Sequence, residues 1–444
     1  MAGFGDAVLN QASAEASLAE RCDSAAQTVV KSLGAWRPRI GLLGPYHSRN
    51  LGDTAIQLAV IQNFVARCSD PEIVGISPDP MDTTRSLGIP AFPLSGCGVD
   101  TLSGAAGHIE EAANHPNHGP SGRLARLRAI ARMTAFLRKL DLLVVSGGGQ
   151  LDDFWGGAFG HPLSLVCWVV LARLCGVRIA FVGVGMDRLS TPLSRFFVLS
   201  ALRLAHYRSF RDKGTLDRLQ QLGLRTPSRL CPDLAFSFAF EPVNRPDLGT
   251  RERMVVVNPI SEHTWASDGD VRHDTYMDGL TEACAWLSAR GFHLRLVCSQ
   301  AKMDESVATE LARRLLDKYS IRVEICDAPG VSDFLEHVRD ARLVIASRLH
   351  AAILSLVAGA PVVAVAPLRK VTQLMEDVGL GAYCVELQSV TAADLIHRIS
   401  TAMENESQVR GEIERRTQRF RRDLAKTYDD VAALIPVRLH DVHR

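Results

Sequence analysis

No sign of charge dominates this chain: 50 Lys and Arg residues stand against 49 Asp and Glu. That balance gives no electrostatic reason to expect nucleic acid or an anionic membrane as a partner, although local basic patches stay open. None of the ten cysteines forms a Cys-x-x-Cys pair, which removes zinc-knuckle and thioredoxin-type readings. Cys167, Cys175, Cys298 and Cys326 lie in apolar segments and read as small core residues. The N-terminus lacks a basic patch followed by an apolar core, so no secretory signal is read there. Together these absences fit a reducing, cytoplasmic setting. One apolar stretch, Leu163 to Met186, could pass for a membrane span. Arg173, Gly176 and Arg178 interrupt it, so it reads as a buried helix, a glycine stop and a buried strand.

Several catalytic signatures are also missing. The loop after the first apolar run has no Gly-x-Gly-x-x-Gly, and no Walker-type Gly-Lys-Ser/Thr occurs. No Gly-x-Ser-x-Gly elbow is present, which argues against a serine hydrolase. His263, His273 and His293 have no metal-ligand spacing, and neither do His108, His115 and His118.

What is present is an alternation. Short continuous apolar runs, as in Leu142–Val145 and Leu343–Ala346, read as buried parallel strands, and helix patterns separate them. With 444 residues, the chain reads as α/β, with two Rossmann-like parallel-sheet domains facing a cleft. The expected divisions are an N-terminal extension (1–36), a first domain (37–243), a second domain (251–404) and a charged helix (405–444). The polar, proline-bearing stretch near Glu241–Thr250 reads as the linker. Ser95–Gly122, rich in Gly, Ser and Asn, reads as a long surface loop or lid, and Arg123–Leu140 as a basic amphipathic helix.

The chemistry gathers where strands end and helices begin, the place ligands occupy in open α/β sheets. Asn50-Leu51-Gly52-Asp53 follows the first strand, and Asp53 reads as a helix cap or a ligand contact. Gly147, Gly148 and Gly149 follow another strand and can expose backbone N–H groups to an anion or let a sugar approach. Asp152 and Asp153 could then accept hydrogen bonds from hydroxyls. Arg211 could clamp a carboxylate or phosphate, while Arg208 reads as a surface ion pair. Asp233 in Cys231-Pro232-Asp233 is a cap or a ligand contact. Arg348 and His350 in Ser347-Arg348-Leu349-His350 are the strongest pair, a fixed cation beside a group that moves protons near neutral pH.

These motifs, in this order, with Gly359-Ala360-Pro361-Val362 and Lys370 after them, resemble the polysaccharide pyruvyl transferase family. Thr54 and Leu368 depart from the family's usual acidic and aromatic residues. The resemblance spans about Ile40 to Gly379 and implies a GT-B-like fold. It also implies transfer of the enolpyruvyl group of phosphoenolpyruvate to a sugar with two suitably placed hydroxyls, giving a pyruvate ketal and phosphate. His350 and Arg348 are then the catalytic candidates. Arg211, Asn50, Asp53, Gly147, Gly148, Gly149, Asp233 and Lys370 are the donor- or substrate-binding ones. Phosphoenolpyruvate is the donor substrate, and the scheme needs no metal or other cofactor. The partner is a saccharide acceptor, and a lipid-linked one at the inner membrane surface is compatible. A GT-B glycosyltransferase using a nucleotide sugar, or a non-catalytic sugar-binding protein, would share the scaffold.

Overall fold

A computed structural model describes residues 37–44, 50–95, 120–154, 156–240, 253–261, 270–300 and 303–436. The expected N-terminal extension, the linker and most of the Ser95–Gly122 loop lie outside these residues.

Seven strands form the first sheet: β1 (Arg39–Leu43), β2 (Glu72–Ser77), β3 (Ala91–Pro93), β4 (Leu142–Ser146), β5 (Arg178–Val184), β6 (Tyr207–Phe210) and β7 (Arg229–Leu230). Six form the second: β8 (Met254–Asn258), β9 (His293–Cys298), β10 (Glu324–Asp327), β11 (Leu343–Ala346), β12 (Val362–Ala366) and β13 (Cys384–Glu386). Both are parallel, ordered β3-β2-β1-β4-β5-β6-β7 and β10-β9-β8-β11-β12-β13. The strand order reverses at β1/β4 and at β8/β11, so each sheet has a switch point where a crevice opens beyond the strand ends. The expected α/β fold with two parallel-sheet domains is what the structure shows.

The helices of the first half are α1 (Leu51–Arg67), α2 (Pro80–Leu87), α3 (Pro120–Leu137), α4 (His161–Leu174), α5 (Pro192–Leu204) and α6 (Lys213–Gln221). Those of the second are α7 (Asp270–Ser288), α8 (Glu305–Tyr319), α9 (Val331–Arg339), α10 (Leu349–Val357), α11 (Arg369–Asp377), α12 (Ala392–Glu404) and α13 (Glu406–Ala432). The Leu163–Met186 stretch resolves into α4, Gly176 at φ 75°, and β5; the strand is buried as expected, but α4 is only partly so, with Cys167, Val170 and Leu174 exposed. Cys298 and Cys326 are buried, but Cys167 is exposed on α4, because the residue falls on that helix's outer side.

Three apolar clusters order the layers. Met133, Trp168 and Val198 pack α3, α4 and α5 on the outer face of the first sheet. Tyr276, Leu311 and Leu395 pack α7, α8 and α12 on one face of the second. The third cluster joins the halves: Leu42, Ile56, Phe64 and Phe236 pack with Val256, Ile353, Leu354 and Tyr428. Helix α13 bridges the two halves. Its Arg410 donates to the Gly359 and Ala341 carbonyls of the second half. Its Tyr428 meets the Phe64 ring edge-on, with centroids 6.1 Å apart, in the first.

Candidate active site

The two switch points meet at α1 and α10. Asn50 caps α1, its Oδ1 accepting the Gly52 N–H at 3.1 Å. Asp53, expected as the cap, stands one turn later and accepts from the Asn50 Nδ2 at 2.9 Å. The cap moved because the helix begins two residues earlier than its apolar pattern. Across the seam, the Leu51 N–H points at the Ser299 carbonyl, 3.4 Å away.

Gly52 lies against the His350 ring. A Cβ on Gly52 would stand 2.0 Å from Nδ1 and 2.3 Å from Cγ, so only glycine lets the imidazole of the other half come this close. Gly52→Ala must therefore push the ring aside. A misplacement of about 1 Å is worth about 10² in rate, and we expect turnover to fall by that order. In a His350→Ala background the same change should cost little more, because the two residues act through one contact.

His350 is the second residue of α10, and Arg348 is the N-cap. The imidazole is 17% exposed, and its Nε2 lies 3.7 Å from Asp233 Oδ2. That separation is longer than a hydrogen bond, and among the described residues Nε2 has no hydrogen-bond partner. Asp233 opens the 3₁₀ turn Leu234–Ser237, with Oδ1 accepting the Ala235 N–H at 3.0 Å. Burial pushes the Asp233 carboxyl upward, but His350, Arg211 and the Ala235 N–H hold it below the ordinary carboxylate range. An ionised carboxylate thus faces the ring and can balance its charge when it takes up a proton.

Arg211 leaves the end of β6. Its side chain is 8% exposed and lies 3.8 Å from both Asp233 and Asp212. Asp212 is engaged elsewhere, capping α6 through the Thr215 N–H and hydroxyl at 2.6 and 2.8 Å. Among the described residues no hydrogen bond ends on the Arg211 guanidinium. Gly185 makes room for it, since a Cβ there would stand 2.4 Å from Nε. A nearly buried guanidinium with unused donors is a ready anion site. Arg208 is not the surface ion pair its position suggested. It is buried and donates to the carbonyls of Leu202, Ala205 and Pro227, because the strand alternation turns it away from solvent.

Arg348 requires a correction. It was expected as a free catalytic cation, but Nε and Nη2 each donate at 2.6 Å to the fully buried carboxylate of Asp304. Asp304 also accepts the Ser261 and Gln300 N–H groups, so the pair ties together the loops after β8, β9 and β11. Buried Tyr276 anchors the same turn: its hydroxyl meets the Ser347 Oγ at 2.8 Å and accepts the Ile260 N–H at 3.1 Å. Breaking a buried ion pair from one side costs about 3–5 kcal/mol. We expect Asp304→Ala and Arg348→Ala to lower stability by that order in chemical denaturation.

At the end of β4, Gly147 and Gly148 take positive φ of 52° and 60°. The Gly147 N–H bonds the Val182 carbonyl, while among the described residues the N–H groups of Gly148 and Gly149 make no hydrogen bond. The expected backbone donors are there. Asp152 and Asp153 do other work than accepting from a sugar. Asp152 Oδ1 accepts the Asp187 and Arg188 N–H groups at 2.6 and 2.8 Å, and Asp153 Oδ2 accepts those of Ser190 and Thr191. Their carboxylates are consumed by the turn after β5. That turn carries Asp187, which pairs with Lys370 at 2.9 Å across the seam. Lys370 therefore meets a carboxylate of the other half, where the family resemblance implied a donor contact.

Burial, reinforced by the Asp187 charge, lifts the Asp152 carboxyl from 3.8 to about 6, against the two N–H groups. A folded value above the unfolded one means the folded chain holds the proton longer. Stability from this group is full below 3.8 and falls as pH rises through about 6. Asp152→Asn keeps the Oδ1 acceptor and removes the charge. Thermal melts should show the variant gaining on the wild type above that window, by on the order of 1 kcal/mol, with no gain below it.

The sequence reading missed Asp304, Asp187 and Tyr276. Asp187 stands at the end of a strand, a signal that was legible. Asp304 and Tyr276 carried none, because their partners lie far along the chain.

The fold is a two-domain, GT-B-like α/β arrangement, similar to that of solved nucleotide-sugar enzymes. UDP-GlcNAc 2-epimerase from Neisseria meningitidis aligns with a TM-score of 0.55 at 10% identity, over 89% of this chain and 99% of its own. HepE of Anabaena, solved with UDP-glucose, aligns at 0.52 and 14% identity, over 88% and 98%. MnaA of S. aureus, solved with UDP, aligns at 0.53 and 11%, over 85% and 91%. At these identities the likeness concerns the fold alone. No curated protein matches the sequence. The family model for polysaccharide pyruvyl transferase matches residues 50–368, and the chain belongs to that family.

Proposed function

We propose that this enzyme moves the enolpyruvyl group of phosphoenolpyruvate onto a sugar of a polysaccharide or its oligosaccharide precursor, forming a pyruvate ketal. The observation that supports this reading is the seam cluster: His350 beside Asp233, and Arg211, with His350 Nε2 and the Arg211 donors making no hydrogen bond among the described residues.

The methylene carbon of phosphoenolpyruvate takes a proton and C2 becomes electrophilic. One sugar hydroxyl attacks C2 and loses its proton. The C2–O bond to phosphate breaks, and the second hydroxyl closes the ketal. Two hydroxyl protons are lost; one ends on the methyl group and one on the released phosphate. His350 is the proton carrier, and such help is worth about 10²–10⁴ in rate. Arg211 and the N–H groups of Gly148 and Gly149 meet the donor's carboxylate and phosphate. Asn50 and Asp53 set the α1 turn that holds Gly52 against the imidazole, and Arg348 fixes the α10 turn from below. A phosphoenolpyruvate donor goes with the cytoplasmic setting expected from the sequence.

Nucleotide-sugar chemistry is the second reading, favoured by neighbours solved with UDP and UDP-glucose. Calorimetric titration separates the two. We expect phosphoenolpyruvate to bind and UDP-glucose not to. Binding of UDP-glucose alone would make the protein a glycosyltransferase or epimerase.

A further inference from the structure

The outer layer of the first half is unlike the rest of the chain. Helix α3 contains four arginines, α4 one and α5 two, and none of the three contains an aspartate or glutamate. The overall charge balance conceals this local excess. Arg126, Arg128 and Arg132 are exposed and form no ion pair among the described residues. The same layer shows apolar side chains to solvent: Leu124, Leu127, Phe159, Leu174 and Phe196 are each more than half exposed. Only 28% of the Gly157–Leu174 stretch is buried, so its apolar surface is not used up by the core. The elements that carry these residues are adjacent: α3 packs on α4, and α4 packs on α5 and on the Gly157–Phe159 turn. Apolar patches rimmed by charge mark contact surfaces.

We infer that this layer docks on an anionic lipid bilayer, with the leucine and phenylalanine side chains in the interface and the arginines on lipid phosphates. Charge decides the occupant. A second copy would set arginine against arginine, whereas an anionic membrane complements the layer. The site lies beside it: Asp153 holds the Ser190 and Thr191 N–H groups at the start of α5. Docking would therefore bring the catalytic seam close to the membrane plane, where a lipid-linked acceptor would be met. That last step rests on the proposed transfer reaction; the docking itself does not.

The full chain should co-sediment with mixed phosphatidylcholine–phosphatidylglycerol vesicles, less so at high salt, and not with pure phosphatidylcholine. Leu124→Asp with Leu127→Asp should cut the bound fraction by about ten-fold or more. Arg128→Glu with Arg132→Glu should do likewise. Both pairs are exposed, so unchanged melting curves are expected and confirm folding. No vesicle substrate is involved, so the outcome is independent of the transfer reaction. Failure of the wild type to sediment with the anionic vesicles would overturn the inference. So would binding unchanged in both variants, or a wild-type dimer that the leucine pair turns into a monomer.

Discussion

Replacing His350 by alanine lowers pyruvyl transfer by about 10²–10⁴-fold and leaves the melting temperature near that of the wild type. The rate falls because the ring is the proton-carrying group at this point of the seam. Asp233 faces it on one side and Gly52 on the other. Stability falls only modestly: the substitution removes one of the groups that hold the buried Asp233 carboxyl low, but Arg211 and the Ala235 N–H remain. The measurement is single-turnover phosphate release alongside a thermal melt. A variant that turns over normally would remove His350 from the chemistry. A variant that unfolds would make the ring a packing residue.

Arg211→Lys weakens phosphoenolpyruvate binding by about ten-fold or more, and Arg211→Ala by up to about a hundred-fold. These figures correspond to charged hydrogen bonds worth about 1.5–3 kcal/mol. Lysine keeps the charge but not the planar fork that meets two oxygens of a carboxylate or phosphate. Arg211 is singled out over the other cations by what surrounds each of them. Arg348 is held by Asp304 and Lys370 by Asp187. Among the described residues Arg211 has carboxylates at 3.8 Å and no short bond. Calorimetry is the right readout, since loss of this charge also raises the carboxylate burden around Asp152 and Asp187 and lowers stability. Equal affinity in all three proteins would move the donor away from this seam.

Much of the fold was legible because buried parallel strands are continuous apolar runs. β4 and β11 fall on the apolar runs Leu142–Val145 and Leu343–Ala346 that read as strands. The edge strands β3, β7 and β13 are two or three residues long and carry no such run, so they were not seen. Helix α10 begins at Leu349, two residues before its apolar stretch, which puts His350 inside the helix and not in the turn. In the site, the residues at strand ends were legible one by one, among them Arg211, Asp233 and His350. Their partnerships were not. A glycine in the first half explains itself only once an imidazole from the second half lies against it. Arg348 looked like a free cation because the aspartate that binds it, Asp304, stands at the N-cap of α8, where a sequence reads it as a helix cap and not as a partner 44 residues away.

The most direct measurement is mass spectrometry of oligosaccharides with free hydroxyl pairs, incubated with phosphoenolpyruvate and either the wild type or His350→Ala. The wild type should add one pyruvate with loss of water and release one phosphate per ketal, and the variant should add none over the same time. Equal labelling by both proteins, or sugar transfer from UDP-glucose in place of pyruvate, would contradict the assignment of pyruvyl transfer to the seam between the two halves.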